Sequence, residues 1–147
     1  MAIRSEVVTN HLEIVELADV CARMRARSLD LFERVGSWVT TTDDGALQRL
    51  FAQACHQHAW HAELWAQRCP TIPAIDLEPA TASYRPPIHP IADSERLAQY
   101  RRSLADLLVD LAALKSHLDQ NLDPNTTRTI NLVSRDLSEL LKNLGRA

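Results

Sequence analysis

The sequence predicts an all-α protein in which four amphipathic helices form one bundle. Apolar residues recur at intervals of three and four and do not alternate, which is the periodicity of helices. Only three glycines are present, and the seven prolines lie between the periodic stretches, where they help divide the chain into four. A length of 147 residues is typical of one domain, so we expect residues 1–147 to share a single core.

The first helix is predicted over residues 10–39. Asn10 and Glu13 have the spacing of a capping box, which indicates a helix start. An apolar stripe then continues to the end of the helix and consists of Ile14, Leu17, Cys21, Met24, Phe32, Val35 and Val39.

The second helix is predicted over residues 44–68. A polar stretch, TTTDDGAL, precedes it, and Thr42 or Asp43 is expected to be its N-cap. Because this turn is short, the first two helices should pack as an antiparallel pair.

The last two helices are expected to form a second antiparallel pair. One is predicted over residues 93–119, with a leucine-rich stripe that also contains Tyr100. The other is predicted over residues 124–144, because Asp123 is a natural N-cap and Pro124 suits the first helical position.

The segment between the two pairs, residues 70–90, holds six of the seven prolines and should not be helical. Twenty extended residues reach about 60 Å, whereas a helix of 25 residues is about 37 Å long. We therefore expect this proline-rich segment to cross the whole length of the bundle and to place the second and third helices parallel.

Composition excludes several classes of protein. The net charge of −3 offers no basic face for a nucleic acid, so no nucleic-acid partner is expected. No apolar run approaches the roughly 18 residues that span a membrane, and the N-terminus lacks the pattern of a signal peptide. Three cysteines without metal-binding spacing predict free thiols. Together these features predict a cytoplasmic protein without a membrane partner.

The stretch CHQHAWHAELW, residues 55–65, is dense in histidine and tryptophan. On a helical wheel at about 100° per residue, His58 and His61 fall in the apolar sector and should face the core. His56, Trp60 and Glu63 fall on the opposite side. The cluster is therefore expected to form two separate faces, not one three-histidine site.

The two inward histidines are the candidate catalytic residues, since neutral imidazole is a good acid, base or metal ligand near physiological pH. A mononuclear metal held by His58 and His61 is one alternative, and the cofactor is left undecided. Buried polar groups need partners, so we expect ligand-binding groups to meet the histidines from the other helices: Arg25, Ser28, Tyr100 and Asp136. The competing interpretation is ordinary packing, in which these groups reach solvent and the imidazoles complete hydrogen bonds of the core.

Four helices, a long second connection and inward histidines on helix two resemble the ferritin-like superfamily. The resemblance covers most of the chain and concerns architecture. Di-iron members of that superfamily use inward carboxylates and Glu-x-x-His motifs. No Asp or Glu in this sequence is followed by His three residues later, so a di-iron centre is not expected.

The outward face of helix two raises a separate question, because an exposed tryptophan usually marks a surface that something covers. The crossover could cover Trp60 through Ile72, Ile75 or Tyr84. The alternative is that a second subunit covers Trp60, in which case Trp60, His56 and Glu63 form the interface of a homodimer.

Two functions follow from these residues. The first is a small-molecule-binding bundle, extending to an accessory metabolic enzyme that uses a histidine-containing pocket in the core. The second is a noncatalytic interaction or dimerisation module whose core histidines are structural. The sequence does not decide whether the protein is an enzyme.

Overall fold

The computed structural model describes residues 12–71 and 84–146. These residues form four helices and no strand: α1 (Ile14–Val39), α2 (Gly45–Arg68), α3 (Asp93–Ser116) and α4 (Pro124–Leu144). The predicted all-α class with four helices is confirmed. No helix in the described part of the chain is long and apolar enough to cross a membrane.

Capping side chains correct two predicted helix starts. Residues 12 and 13 precede α1, so Glu13 is its N-cap and its backbone N–H donates to the Glu16 carboxylate at 2.9 Å. The start at residue 10 is therefore wrong, and Asn10 itself lies outside the described residues. The N-cap of α2 is Asp44, whose carboxylate accepts from the backbone N–H of Leu47 at 2.8 Å.

The predicted alternatives for the N-cap of α2 are also wrong. Thr42 is buried and its hydroxyl donates to the carbonyl of Trp38 at 2.7 Å, so it closes α1 and does not open α2. In contrast, α4 begins as predicted, with Asp123 as N-cap and Pro124 in the first turn. The third helix ends at Ser116, three residues before its predicted end at 119.

Contacts between side chains fix the directions of the helices. Arg27 and Arg34 of α1 pair with Asp110 and Ser103 of α3, so that these helices run antiparallel. A short turn makes α2 antiparallel to α1 as well, and α2 and α3 are therefore parallel. The end of α2 and the start of α3 consequently lie at opposite ends of the helices.

The core contains leucines from all four helices and a cluster of aromatic rings. Trp38, Phe51 and Tyr100 pack with ring centroids 5.4 to 6.4 Å apart. Two residues of the predicted α1 stripe, Ile14 and Phe32, are exposed, which makes that part of the prediction wrong. Because α1 packs against both α2 and α3, its buried surface is broader than one stripe: Leu17, Ala18, Val20, Cys21, Ser28, Leu31, Val35 and Trp38.

Candidate functional site

His58 and His61 lie one turn apart on the inner face of α2. Their side chains are 0% and 1% exposed, so both rings are inside the protein as the helical wheel predicts. The ring centroids are 5.9 Å apart and the ring planes meet at 71°. A spacing of three residues on a helix brings side chains to the same face, which explains the pairing.

His58 is held by α3. Its Nε2 lies 2.5 Å from the hydroxyl oxygen of Tyr100, which is completely buried. Burial, reinforced by the neighbouring His61, lowers the pKa of His58 to about 3. Burial also raises the pKa of Tyr100, so the imidazole and the phenol are both neutral at physiological pH.

The second ring nitrogen of His58, Nδ1, is buried and has no hydrogen-bond partner among the described residues. A buried polar atom without a partner costs about 1–3 kcal/mol. If Tyr100 donates to Nε2, then Nδ1 carries the proton and is a donor without an acceptor. If Nε2 donates to the phenol oxygen, Nδ1 is a lone-pair acceptor instead.

His61 is held by α4. Its Nε2 lies 3.1 Å from a carboxylate oxygen of Asp136, whose side chain is 18% exposed. Burial lowers the pKa of His61, while the hydrogen bond and charge of Asp136 act in the opposite direction. In the neutral ring Nε2–H donates to the carboxylate, which leaves Nδ1 as a lone-pair acceptor.

Tyr100, His58, His61 and Asp136 therefore converge, and we refer to them as the histidine cluster. It extends from the aromatic core at Tyr100 to the protein surface at Asp136. Side chains from α2, α3 and α4 contribute to it, so it forms only when the tertiary structure is complete.

The other two predicted ligand-binding residues do not contact the histidine cluster. Ser28 is buried, but its hydroxyl donates to the carbonyl of Met24 at 3.0 Å within α1. Arg25 is half-buried and makes no hydrogen bond or ion pair with any residue that the structure describes. Both lie on α1, the helix that contributes nothing to the cluster.

A metal ion would need ligands that this cluster does not offer. Within residues 12–71 and 84–146, no group of three or more His, Cys, Asp or Glu side chains is arranged to hold one. The Nε2 atoms of His58 and His61 are already engaged by Tyr100 and Asp136.

The outer face of α2 exposes Trp60, His56 and Glu63 to solvent, and Trp60 is 53% exposed. Tyr84, one predicted cover, instead donates its backbone N–H to Asp30 of α1 at 3.0 Å. That part of the prediction is wrong, because Tyr84 is anchored to α1. The other two proposed covers, Ile72 and Ile75, lie outside the described residues.

The sequence does not predict that Arg96 is buried, yet this residue is only 7% exposed. Its guanidinium donates to the carbonyl of Thr41 at 3.1 Å and lies 5.9 Å from the ring centroid of Trp38. Its Nε has no partner in the described chain. The residue therefore ties the start of α3 to the turn that follows α1, a contact that helical periodicity does not reveal.

Neither a family model, nor a curated protein, nor a solved structure matches this chain. The functional argument therefore rests on the residues and their geometry.

Proposed function

We propose that the protein is a small-molecule-binding helical bundle in which His58 and His61 provide the polar groups of the site. The observation that carries the proposal is the buried Nδ1 of His58, which has no partner in the described chain. Buried unpaired polar atoms are uncommon in folded proteins and are usually satisfied by water or a ligand. A bound polar molecule would supply the missing hydrogen bond.

The proposed site combines four groups with different chemical roles. Tyr100 and Asp136 hold the two imidazoles in fixed orientations. Neutral His61, orientated by Asp136, presents Nδ1 as an acceptor, and Nδ1 of His58 can donate a hydrogen bond when Tyr100 donates to its Nε2. An accessory enzyme that uses acid–base catalysis is the extended form of this proposal.

We also propose the ferritin-like arrangement, with the proline-rich segment as the crossover between α2 and α3. Its support is that Arg68, at the end of α2, contacts Asp123, whereas Arg96, at the start of α3, contacts Thr41 at the other end of the helices. A connection between these two ends has to run the length of the bundle. Free thiols at all three cysteines support a cytoplasmic location.

Fragment screening by protein-observed NMR tests the binding site. In the wild-type protein, polar fragments are expected to shift the amide resonances of His58, His61 and Tyr100. In His58→Ala the protein should keep its helical circular dichroism and lose these shifts. The matched control is His56→Ala, which removes an exposed imidazole from the same helix and should leave binding unchanged.

Two results would count against the proposal. One is a screen in which no fragment shifts the resonances of the cluster. The other is a His58→Ala protein that binds fragments as the wild type does and only loses stability. Either outcome would favour histidines that serve packing alone.

A second function, a noncatalytic dimerisation module, is favoured by the exposure of Trp60 on the outer face of α2. Light scattering tests it: a dimer has twice the chain mass of 16.5 kDa. Trp60→Ser should restore the monomer mass, whereas Val109→Ser, at another exposed apolar residue, should not. A wild-type monomer at high concentration would contradict this function.

A further inference from the structure

A groove lies between α1 and α3 at the place where residues 84–91 pass over these helices. Its volume of about 640 Å³ is within the usual range for small-ligand sites. Three arginines from three different segments line it: Arg34 of α1, Arg102 of α3 and Arg85 of the connecting segment. We propose that this groove binds a small organic anion, with a carboxylate or phosphate group at the arginines and a flat apolar body beside them.

The segment that forms one wall of the groove is anchored to α1. The backbone N–H of Tyr84 donates to Asp30 at 3.0 Å, and the guanidinium carbon of Arg34 lies 5.5 Å from the centroid of the Tyr84 ring. Arg85 follows directly and donates to the carbonyl of Tyr84 at 3.1 Å. These contacts position the Tyr84 ring and the Arg85 side chain at the groove.

The arginines retain donors for an incoming anion. Arg34 uses one N–H on the hydroxyl of Ser103, at 3.1 Å, and a guanidinium has five. Arg102 is exposed and makes no hydrogen bond or ion pair within the described part of the chain. Guanidinium groups match carboxylate and phosphate oxygens in bidentate geometry, which makes these two headgroups the natural occupants.

Two carboxylates also line the groove, so the lining has three positive charges and two negative ones. Asp30 already accepts the backbone N–H of Tyr84. Asp106 is exposed on α3 and would repel an anion. The balance of charge still favours a negative ligand, and Asp106 provides a test in which removing a charge strengthens binding.

The apolar part of the ligand has a surface to lie on. Trp38 and Ile91 line the groove, together with Tyr84 and Pro87, and the same four residues line an adjoining cavity of about 700 Å³. The two spaces continue into one another along these side chains. A ring attached to the anionic group would pack against them and lose contact with water.

The proposed site is distinct from the histidine cluster, so each can be tested without the other. The protein of residues 1–147 is titrated with benzoate and with phenyl phosphate, and benzyl alcohol is the uncharged control. Both anions are expected to shift the resonances of the Ser103 amide and the Trp38 indole in a saturable manner, with dissociation constants on the order of 1 mM. Benzyl alcohol should bind about tenfold more weakly.

Three single-charge variants at exposed positions give the decisive comparison. Arg102→Gln should weaken anion binding about fivefold, and Asp106→Asn should strengthen it about twofold to threefold. Arg49→Gln, on α2, removes an exposed arginine away from the groove and should leave binding unchanged. Circular dichroism checks that each variant keeps its helices.

Several results would overturn the proposal. They are the absence of saturable shifts up to about 20 mM of either anion, equal affinity for benzyl alcohol, and an equal loss of binding in Arg102→Gln and Arg49→Gln. If the anions bind as expected, the tighter of the two identifies carboxylate or phosphate as the preferred headgroup.

Discussion

Tyr100 is the single hydrogen-bond partner that the described residues give to the ring nitrogens of His58. Its hydroxyl is therefore worth more than an average hydrogen bond, because without it both ring nitrogens of a fully buried imidazole would be unpaired.

Tyr100→Phe is expected to lower the free energy of unfolding by about 1–3 kcal/mol, measured by urea denaturation. Tyr84→Phe is the matched control, since no hydrogen bond involves the Tyr84 hydroxyl among the described residues and the ring can still pack on Arg34. Equal stability of wild type and Tyr100→Phe would show that the hydroxyl does not hold His58.

The buried histidines also predict how stability depends on pH. The pKa of His58 is about 3 in the folded protein and lies near 6.5 in the unfolded chain, and that of His61 is lowered in the same direction. Between these values the unfolded state binds more protons, so stability is complete above about pH 6.5 and falls as the pH decreases towards 3.

Unfolding in urea at pH 7.5 and at pH 5.5 should therefore differ by about 1–2 kcal/mol, with the protein less stable at pH 5.5. In His58→Ala the difference should shrink, whereas His56→Ala, which removes an exposed imidazole from the same helix, should keep it. A difference that is unchanged in His58→Ala would contradict neutral burial of this ring.

At the scale of the helices, the first residue of a helix is determined by a single N-cap side chain, and neighbouring residues can compete for that position. Three acceptors in a row, Thr42, Asp43 and Asp44, precede α2. Composition does not rank them, because each can cap a helix. The Thr42 hydroxyl donates to the carbonyl of Trp38, whereas the Asp44 carboxylate accepts the backbone N–H of Leu47 in the first turn of α2.

Asp44→Ala is consequently expected to lower the free energy of unfolding by about 1 kcal/mol. Asp43→Ala, one position earlier and equally charged, should change it by no more than a few tenths of a kcal/mol. Thermal unfolding of both variants measures the difference. The reverse order of stability would place the cap at Asp43.

The sequence predicts inward residues well where one helix face carries a clear stripe. His58, His61 and Tyr100 are buried as their positions on the wheel indicate. The prediction is less accurate for α1, which packs against two neighbours: periodicity assigns Phe32 to the core, although Phe32 is exposed. Periodicity gives a direction for each side chain, but it does not give the neighbouring helix that the side chain meets.

At the scale of the whole molecule, the all-α class with four helices could be predicted from the sequence, but the contacts along the α1–α3 groove could not. The number of helices follows from the four periodic stretches that polar turns and prolines separate. The groove depends on Tyr84 binding Asp30, a contact across 54 positions that no local pattern encodes.

Thiol labelling reports on the packing of the whole fold. Cys21 is completely buried, and burial together with the neighbouring Cys69 raises its pKa to about 12. In the native protein we expect a thiol reagent to modify Cys69, which is partly exposed, long before Cys21. In urea the two should react at similar rates. Mass spectrometry of digested protein locates the label, and early modification of native Cys21 would contradict a tightly packed core.

Trp38 forms one wall of the surface groove and also packs edge-on against Tyr100, 6.4 Å away, which in turn holds His58. One indole ring is thus common to the outside and the inside of the protein. Coupled binding is reciprocal. If a ligand in the groove changes the affinity of the histidine cluster for its ligand by some factor, a ligand at the histidine cluster changes the affinity of the groove by the same factor. Any coupling that this ring transmits between the two proposed sites would therefore be mutual.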